Sequence, residues 1–313
     1  MAELDAVVLG AGVIGLTSAV RLAESGLALE CWTADAPADT TSRVAGALWA
    51  APPLEDPDGC LARRVGVSLG VFRELAGEPD SGVRIAHGVV ASRRHAEEPQ
   101  GMFPGVRLRA CRPPEGYVAA VELDAPLIDM PRYLEYLQER LRGAGGALVT
   151  RRVASLADLA AHAPVIVNCS GLGARELARD HSMEAIRGQH VVVENPGLQE
   201  FFMEDRGPGA WASWFPHGER VVLGGVAQPG AVDPEPDPAV SAGILERCLA
   251  LEPRLEGARV LEEQVGLRPS RPSVRLEAEP LHGAACVHNY GHGRSGVSLS
   301  WGCAGEVLRT LPG

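Results

Sequence analysis

The apolar and polar positions of the chain change from one period to another within its first 25 residues. An apolar run, Val7-Val8-Leu9, leads into Gly10-Ala11-Gly12-Val13-Ile14-Gly15 and then into an amphipathic segment over 16–25. A short apolar run bounded by a turn indicates a buried strand, and apolar residues at helical spacing indicate a helix. The pattern therefore predicts a strand, a tight turn and a helix at the start of the chain.

The turn between this strand and helix contains the spacing Gly-x-Gly-x-x-Gly. Gly10 permits the turn, Gly12 has no Cβ and lets a phosphate approach the backbone, and Gly15 lets helix and strand pack closely. The N-terminus of the following helix presents unpaired N–H groups and the positive end of the helix dipole, which suit a pyrophosphate, and we expect Val13 and Ile14 among the cofactor contacts. Glycine-rich turns also occur without a ligand, so the interpretation depends on the strand–turn–helix context.

The rest of the chain divides into two kinds of pattern. Alternating strand and helix patterns occur at both ends and near residues 150–180, whereas 83–123 and 189–226 alternate as antiparallel strands do. This arrangement predicts an α/β fold with a doubly wound nucleotide domain and a mostly antiparallel domain inserted into it. We place the first domain at 1–76, 148–188 and 260–313, and the second at 77–147 and 189–259.

Three further segments have patterns that predict a loop, a strand and a helix. The Pro/Gly-rich stretch 97–116 is predicted to be a loop, and a strand is predicted over 260–267, running into Arg268-Pro269-Ser270-Arg271-Pro272. A good helix is predicted for 129–142, with Pro131 in its first turn and Gly143 after it.

Composition narrows the classes of function. The 313 residues are 46% hydrophobic with a mean hydropathy near zero, and the net charge of −11 argues against nucleic acid as a partner. The chain has no lysine, which excludes a Schiff-base or P-loop lysine. Its seven cysteines are scattered without a C-x-x-C motif, so we expect reduced thiols in a cytoplasmic protein and no metal site. No apolar run reaches the ~20 residues of a membrane span.

Polar residues after the predicted strands are candidates for a nucleotide site. Asp35 lies about 20 residues beyond the last glycine, where an acidic side chain can bind the ribose hydroxyls of an adenosine. Glu30 is a rival that lies inside the strand, and Asp35 could also be a solvated turn residue. The hydroxyl-rich stretch Thr40-Thr41-Ser42 could form a second anion-binding edge. Ser170, after the apolar run 165–169, is placed for close contact with a cofactor or for ordinary packing.

These segments together resemble the D-amino acid oxidase family of flavoproteins. The most specific match is the block His288-Asn289-Tyr290-Gly291-His292-Gly293, and the matching pieces run in the family's order over essentially the whole length: 10–16, 40–49, 167–171, 187–189, 266–272, 288–293 and 301–304. The resemblance implies a discontinuous Rossmann-type FAD-binding domain and a mostly antiparallel substrate domain, in a monomer or a homodimer.

The resemblance also implies non-covalent FAD in an extended pose. Gly10, Gly12 and Gly15 would face its pyrophosphate and Asp35 its ribose. The middle and flavin end would be lined by Thr41, Ser42, Gly46, Ala47 and Leu48, with Ser170 nearby. The isoalloxazine would lie beside the C-terminal loop, whose contacts are expected at Gly291, His292, Gly293, Gly296, Val297 and Ser298. The dipole of the final helix would stabilise negative charge on the reduced ring. His288, Tyr290 and His292 could equally be structural.

The implied reaction is oxidation of a D-amino acid with dioxygen as acceptor. Arg268 would hold the substrate carboxylate in a bidentate fork. The α-hydrogen would pass as hydride to flavin N5 without a protein base, giving a 2-oxo acid, ammonia and hydrogen peroxide. The chain departs from the family where tyrosines are common, since it has Trp211-Ala212-Ser213-Trp214-Phe215. Ser213 is the nearest positional substitute, and Trp211 could form a wall of the pocket.

Four alternatives remain open at this point. Arg294 follows the His-Gly pair where the family has small residues, and it could bind a second carboxylate and favour D-aspartate or D-glutamate; it could also be a surface charge. The missing tyrosine allows a glycine or secondary-amine oxidase of specialised metabolism. The glycine motif alone would permit a nicotinamide-dependent dehydrogenase. A non-catalytic flavin-binding module is opposed by the presence of Arg268.

Overall fold

The computed structural model describes residues 3–51, 54–94, 101–204 and 209–311. The α-helices with bounds in these ranges are α1 (Val13–Glu24), α2 (Leu61–Leu75), α3 (Met130–Gly143), α4 (Ala174–Leu177), α5 (Pro238–Leu251) and α6 (Gly296–Thr310). The strands are β1 (Ala6–Leu9), β2 (Leu29–Thr33), β3 (Val83–Ser92), β4 (Leu108–Ala110), β5 (Ala119–Ile128), β6 (Ala147–Thr150), β7 (Val165–Asn168), β8 (Glu184–Glu194), β9 (Phe201–Glu204), β10 (Ala210–His217), β11 (Arg220–Val226), β12 (Gln228–Pro229), β13 (Val260–Leu281) and β14 (Ala284–His292).

One half of the molecule is a parallel sheet of the doubly wound type. Its strand order is β6-β2-β1-β7-β14, and each neighbouring pair is parallel. Every residue of β1 and β7 is buried, as expected for strands that helices cover on both faces. The helix α1 connects β1 to β2, so the predicted strand, turn and helix are confirmed.

The other half is mostly antiparallel and continues the same sheet. In the described residues the order is β4-β5-β3-β9-β10-β11-β8-β13-β14, with β12 paired to β8. Within it only the β3–β9 pair among the named strands is parallel. The predicted hairpin between β10 and β11 is present, and its register pairs His217 with Arg220. The α/β fold class with an antiparallel second part is therefore confirmed.

The two halves meet on β13, which is much longer than predicted. This 22-residue strand pairs with β8 from Val260 to Ser270 and with β14 from Ser270 to Leu281. The sequence predicts a strand over 260–267 only, and Pro269 and Pro272 cannot donate to a ladder. The register with β14 shifts between Ser270 and Arg275, so the prolines lie where the strand changes partner.

Two other features differ from expectation. The short strand β4 lies inside the stretch 97–116 that was predicted to be a loop, and it pairs with β5; residues 97–100 of that stretch lie outside the described residues. Helix α3, which the predicted boundaries assign to the inserted domain, packs on the other half. Trp301 Nε1 of α6 donates to Tyr133 Oη at 2.7 Å, and Arg140 pairs with Glu24 of α1 at 2.6 Å. The exact domain boundaries remain a prediction.

No helix in the described part of the chain has both the length and the apolar character needed to cross a membrane.

Candidate functional site

A cavity of about 1130 Å³ lies at the carboxyl ends of the parallel strands and is also lined by residues of the antiparallel half. The residues that follow β1, β2, β6 and β7 all contribute to its lining. Ligands of open α/β sheets bind at this edge, outside the carboxyl ends of the strands. The volume exceeds the range of about 300–1,000 Å³ for small-molecule sites, as expected for a long cofactor together with a substrate.

Nearly all of the predicted site residues line this cavity. The lining includes the predicted cofactor contacts Gly10, Gly12, Val13, Ile14, Asp35, Thr41, Ser42, Gly46, Ala47, Leu48, Ser170, Gly291, His292, Gly293, Gly296, Val297 and Ser298. It also includes the predicted catalytic residues Arg268, Ser213 and Arg294. The fold thus brings together segments from residues 10 to 298.

Gly15 is the exception, because it does not belong to the cavity lining. A Cβ built on Gly15 would collide with the carbonyl oxygen of Gly10, so this glycine permits contact between α1 and the end of β1. Its position agrees with the packing role and differs from the expectation that it faces a pyrophosphate. Gly10 has φ +104°, and a Cβ there would collide with Cys169 O. We call residues 10–15 the glycine turn.

The hydroxyl-rich stretch ties the glycine turn to β13. The N–H of Val13 donates to Ser42 Oγ at 2.9 Å, and Thr41 Oγ1 donates to Leu267 O at 3.1 Å. A Cβ built on Gly266 would lie 2.8 Å from Val44 Cγ2, and one built on Gly46 would lie 2.9 Å from the Phe215 ring. Both glycines line the cavity, and their missing side chains allow its walls to approach each other.

The C-terminal loop closes the same part of the cavity. Gly291 has φ +86° and Gly293 has φ +55°, conformations that favour glycine, and α6 begins at Gly296. The N–H of Ala50 donates to Ser298 Oγ at 3.2 Å, which joins this loop to the stretch after Leu48. The positive end of the α6 dipole therefore faces the cavity.

Ser170 is oriented by a buried chain of polar groups. Its hydroxyl donates to Asn168 Oδ1 at 2.7 Å, and Asn168 Nδ2 donates to His288 Nδ1 at 3.1 Å. His288 Nε2 lies 2.9 Å from Glu279 Oε1, although off the direction of a good hydrogen bond. Burial lowers the pKa of His288, while Glu279 opposes this shift. This geometry gives His288 a structural role.

The other two residues of uncertain role in the His-Asn-Tyr-Gly-His-Gly block are also buried. Tyr290 Oη donates to Asp180 Oδ2 at 3.0 Å and accepts from Arg275 Nη1 at 2.7 Å, and burial raises its pKa to about 12. His292 is 2% exposed; burial and the nearby Arg64 lower its pKa to about 3. Both side chains are therefore neutral at ordinary pH.

Arg268 lies at the end of the cavity in the antiparallel half. A Cβ on Gly188 of β8, which is paired with Gly266, would overlap the guanidinium of Arg268. The Nη1 of Arg268 donates to Val226 O at 3.2 Å. Withdrawal from water, and secondarily the charge of Arg294, lower its pKa to about 10. Arg294 is exposed and lines the same cavity. A carboxylate at this end would relieve the cost of keeping the two cations close together.

The strands beside Arg268 supply the rest of this end. On β10 the residues Trp211, Ser213 and Phe215 face the cavity, and Ser213 is 1% exposed. On β8 the alternate residues Gly188 and His190 do so. We call Gly188, His190, Trp211, Ser213 and Arg268 the arginine wall.

Sequence reasoning missed His190 and Gln264, which face each other across β8 and β13 and both line the cavity. The only available signal was a histidine in the strand β8, at a position that shares a face with Gly188 and precedes the apolar run 191–193. Such a residue is indistinguishable from a solvated strand position until its neighbours are known.

Asp35 lies at the opposite end of the cavity. Its carboxylate is exposed and lies 3.5 Å from Arg152 Nη2, and the neighbouring Arg151 packs its guanidinium over Trp32 at 4.2 Å. The structure therefore brings an acid and two arginines to the cavity edge after β2 and β6. Glu30, the rival of Asp35, bonds Trp32 Nε1 at 2.7 Å within the strand.

Comparison with known proteins agrees with this geometry. The family model described as "DAO: FAD dependent oxidoreductase" matches residues 5–309. The chain is 48% identical over 307 residues to a D-amino-acid oxidase of Rubrobacter xylanophilus, a match that covers 96% of this chain and 94% of that protein. It is 46% identical over 313 residues to a D-amino-acid oxidase of Streptomyces coelicolor, covering 97% and 96%.

Among solved structures, the fold resembles a glycine oxidase from Geobacillus kaustophilus, with a TM-score of 0.83 at 19% identity, covering 98% of this chain and 94% of that one. At that identity the likeness establishes the fold alone. The fold and the family match define an FAD-dependent oxidoreductase. The chain belongs to the D-amino acid oxidase family.

Proposed function

We propose that this protein catalyses the FAD-dependent oxidative deamination of D-amino acids. The observation that carries the proposal is the guanidinium of Arg268, which lies inside a cavity whose other end has the features of a dinucleotide site. The two relatives at 48% and 46% identity, both D-amino-acid oxidases, support the same reaction.

The described residues fit FAD as the cofactor. The glycine turn and the N–H groups at the start of α1 would receive its pyrophosphate, and Asp35 its ribose. The part of the cavity lined by Gly46 and Gly266, which we call the cofactor slot, would receive its flat ring system, near the start of α6. When bound, FAD supplies the hydride acceptor and is reoxidised by dioxygen.

The protein contributes orientation and electrostatics to the reaction. Arg268 would bind the substrate carboxylate through two parallel N–H···O bonds, and Ser213 and Trp211 would border the substrate beside it. The neutral amine loses its Cα–H as hydride and becomes an imino acid. Water then hydrolyses the imino acid to a 2-oxo acid and ammonia, and the two electrons leave in hydrogen peroxide. No side chain is required to remove the Cα hydrogen as a proton.

The test of this proposal is the substitution Arg268→Leu. Loss of a buried charge-assisted pair costs about 2–5 kcal/mol, so kcat/KM for D-amino acids should fall by about 30-fold to several thousandfold. The flavin absorbance of the purified protein should be retained, because the guanidinium of Arg268 lies against Gly188 and Val226 of the antiparallel half and the substitution leaves the glycine turn unchanged.

A matched control is Arg259→Leu, since Arg259 is exposed and pairs with Glu194 at the surface. Peroxide production would be measured over a panel of D- and L-amino acids, glycine and sarcosine. An unchanged kcat/KM in Arg268→Leu would remove Arg268 from the site, and oxidation of glycine or sarcosine alone would replace the proposal with the amine-oxidase alternative.

A preference for D-aspartate or D-glutamate is a second candidate, favoured by the charge of Arg294 beside Arg268. A second carboxylate on the substrate would then be bound by Arg294. Rates for D-aspartate and D-methionine in the wild type and in Arg294→Ala distinguish the candidates. If the substitution leaves the D-aspartate rate unchanged, Arg294 has no such role.

We also propose that the protein works in the cytoplasm as a monomer or a homodimer. All seven cysteines are free, and burial raises the pKa of Cys31 to about 12, as it does for Cys286 and Cys303. Such thiols suit a reducing compartment. Fractionation of cells and light scattering of the purified holoprotein would test the two statements.

A further inference from the structure

A buried chain of polar groups crosses three strands and ends at Ser170 on the cavity wall. Ser170 follows β7 and lines the cavity, and its Cα would lie 3.4 Å from a Cβ built on Gly10 of the glycine turn. From Ser170 the chain passes through Asn168 of β7 to His288, its register partner on β14. His288 Nε2 then lies 2.9 Å from Oε1 of Glu279 on β13. The Glu279 side chain is 46% exposed, so the chain connects the cavity with solvent.

The direction of each hydrogen bond in this chain follows from the backbone. The N–H of Ser170 can only donate, and it lies 3.2 Å from Asn168 Oδ1, so the oxygen of this amide faces Ser170. The Ser170 hydroxyl donates to the same oxygen at 2.7 Å. The amide nitrogen therefore faces His288 Nδ1 at 3.1 Å, and because it can only donate, Nδ1 accepts. The hydrogen of the neutral imidazole is then on Nε2, on the side of Glu279.

This arrangement determines what the Ser170 hydroxyl offers to a cofactor. Its hydrogen is bound to Asn168 Oδ1, so the oxygen presents only lone pairs toward the cavity. A hydroxyl group of FAD can donate to such an oxygen, whereas a phosphate oxygen, which is itself an acceptor, cannot. Ser170 thus suits a sugar hydroxyl of the cofactor as long as Asn168 keeps its present orientation.

A second proton on His288 would reverse the chain. The protonated imidazole has a hydrogen on both nitrogens, so its Nδ1–H would face the amide N–H of Asn168, and two donors cannot bond. Rotation of the amide by half a turn removes this conflict, because it brings Oδ1 to His288 and Nδ2 to Ser170. The Ser170 hydroxyl then accepts from Nδ2 and its own hydrogen turns toward the cavity, while the backbone N–H of Ser170 loses its acceptor.

We propose that His288 is a positioning residue for the cofactor, whose protonation turns the Asn168 amide and thereby replaces the acceptor that Ser170 presents to FAD with a donor. FAD accordingly binds more weakly to the protonated form of the protein. The inference depends on FAD as the cofactor and is independent of the substrate that Arg268 binds.

The groups around the His288 ring set the pH at which this change occurs. Burial and the charge of Arg275 lower the pKa of His288, while Glu279 and Glu277 oppose this shift, and burial is the largest of these effects. Burial also raises the pKa values of Tyr290 and Cys286 on β14 to about 12, so both side chains stay neutral. The ring is therefore neutral at pH 7 and above, and it takes up a proton only as the pH falls below 6.5.

The first measurement follows the two nitrogens of the His288 ring directly. Nitrogen NMR signals of the imidazoles in the apoprotein would be recorded from pH 8 to pH 4, and the signal missing in His288→Asn belongs to His288. At pH 8 its Nδ1 should have the chemical shift of an unprotonated nitrogen and its Nε2 that of a protonated one. The opposite tautomer would overturn the proposal, as would a ring that stays neutral until the protein unfolds.

The second measurement is the Kd of FAD for the same apoprotein, obtained from fluorescence quenching over the same pH range. Kd should rise about fivefold between the neutral and the protonated form of His288, which is the size of one net hydrogen bond. The midpoint of the rise should coincide with the NMR titration of His288. Because binding and protonation are linked, bound FAD should in turn lower the pKa of His288 by the logarithm of the same ratio.

Three variants distinguish this chain from other titrating groups. His288→Asn places an amide oxygen near the position of Nδ1, so it can hold Asn168 without titrating, and the rise in Kd should disappear while the affinity at pH 8 is kept. Ser170→Ala should bind FAD about fivefold more weakly at pH 8, without the later rise. The matched control His87→Asn should behave as the wild type, because His87 lies on β3 and pairs with Asp124 at the surface.

Two further outcomes would show that His288 is only structural and would overturn the proposal. One is protonation of His288 without a change in Kd, and the other is a rise in Kd that persists in His288→Asn. Failure of the proposed function would be seen differently. A protein that binds FAD with this pH dependence and oxidises no D-amino acid would contradict the proposed function and leave the role of His288 intact.

Discussion

The glycine turn and the arginine wall lie at different parts of one cavity and are built in different ways. The glycine turn uses backbone groups from one short stretch at the end of β1 and the start of α1, and three of its six residues are glycines. The arginine wall uses side chains from β8, β10 and β13, which are up to 80 positions apart along the chain (188 to 268). The first is a local structure that a motif can describe, and the second exists only when the sheet has formed.

The largest effect is expected from adding a methyl group to the glycine turn at Gly15. The new Cβ of Gly15→Ala would collide with the carbonyl oxygen of Gly10, a backbone atom that cannot move alone. The helix α1 must shift away from β1, so we expect the free energy of unfolding of the apoprotein to fall by about 3 kcal/mol. Urea denaturation would measure it.

The matched control is Gly66→Ala in α2, where no atom lies within 4 Å of the added methyl group. Removing a glycine from an exposed helix interior should stabilise the protein by about 0.5–1 kcal/mol. If Gly15→Ala did not lower the free energy of unfolding relative to this control, the glycine turn would not depend on close contact between the backbones of β1 and α1.

The next largest effect is the pH dependence of the free energy of unfolding that the buried side chain of His292 causes. His292 has an unfolded-state pKa near 6.5 and a folded-state pKa of about 3. Above pH 6.5 both states are neutral and the histidine contributes no pH dependence. Below it the unfolded state binds a proton that the folded state does not, so stability falls as the pH falls from 6.5 toward 3, by on the order of 1 kcal/mol per pH unit.

The measurement is the free energy of unfolding of the apoprotein at pH 7, 6 and 5. The substitution His292→Asn removes the titrating group and should make the slope shallower. If the free energy of unfolding changed equally with pH in the wild type and in His292→Asn, the imidazole of His292 would be accessible to protons in the folded protein, in conflict with its burial.

A smaller effect is expected where the two regions meet, at Gly266. The Cβ of Gly266→Ala would lie 2.8 Å from Val44 Cγ2 and 3.3 Å from Thr41 Cγ2, so the stretch after Thr40 must move by a few tenths of an ångström. We expect FAD to bind about tenfold more weakly, which corresponds to about 1.4 kcal/mol. Titration of the apoprotein with FAD, followed by fluorescence quenching, would detect it; unchanged affinity would mean that the slot tolerates the methyl group.

The smallest effect is expected from Asp35→Asn. The carboxylate is 64% exposed and already pairs with Arg152, so its net contribution to FAD binding should be below about 1 kcal/mol, or fivefold. The same fluorescence titration measures the affinity of the Asp35→Asn apoprotein for FAD. A loss of a hundredfold or more would show that this exposed acid, and not the glycine turn, dominates recognition at that end of the cavity.

The sequence predicted the fold class, most of the glycine turn and, through the family resemblance, Arg268, Ser213 and Trp211 of the arginine wall, which all line the cavity. Gly10, Gly12 and the strand–turn–helix pattern depend on neighbours in the chain, so their geometry follows from local rules. His190 could not be recognised, because its partner Val44 and its neighbours Gly224 and Ser213 are distant in sequence and come together only through the β8–β11 pairing. The continuation of β13 through Pro269 was missed for a similar reason, since a change of pairing partner leaves no local mark.

One strand, β13, carries Gly266 in the cofactor slot and Arg268 in the arginine wall, two positions apart and thus on one face. Inserting or deleting a single residue between them would turn the guanidinium toward the far side of the sheet while leaving the slot in place. A protein with such an insertion or deletion would fold and bind FAD but would not oxidise its substrate. Indels in this short interval should accordingly be forbidden, whereas point substitutions at Leu267 leave the spacing intact.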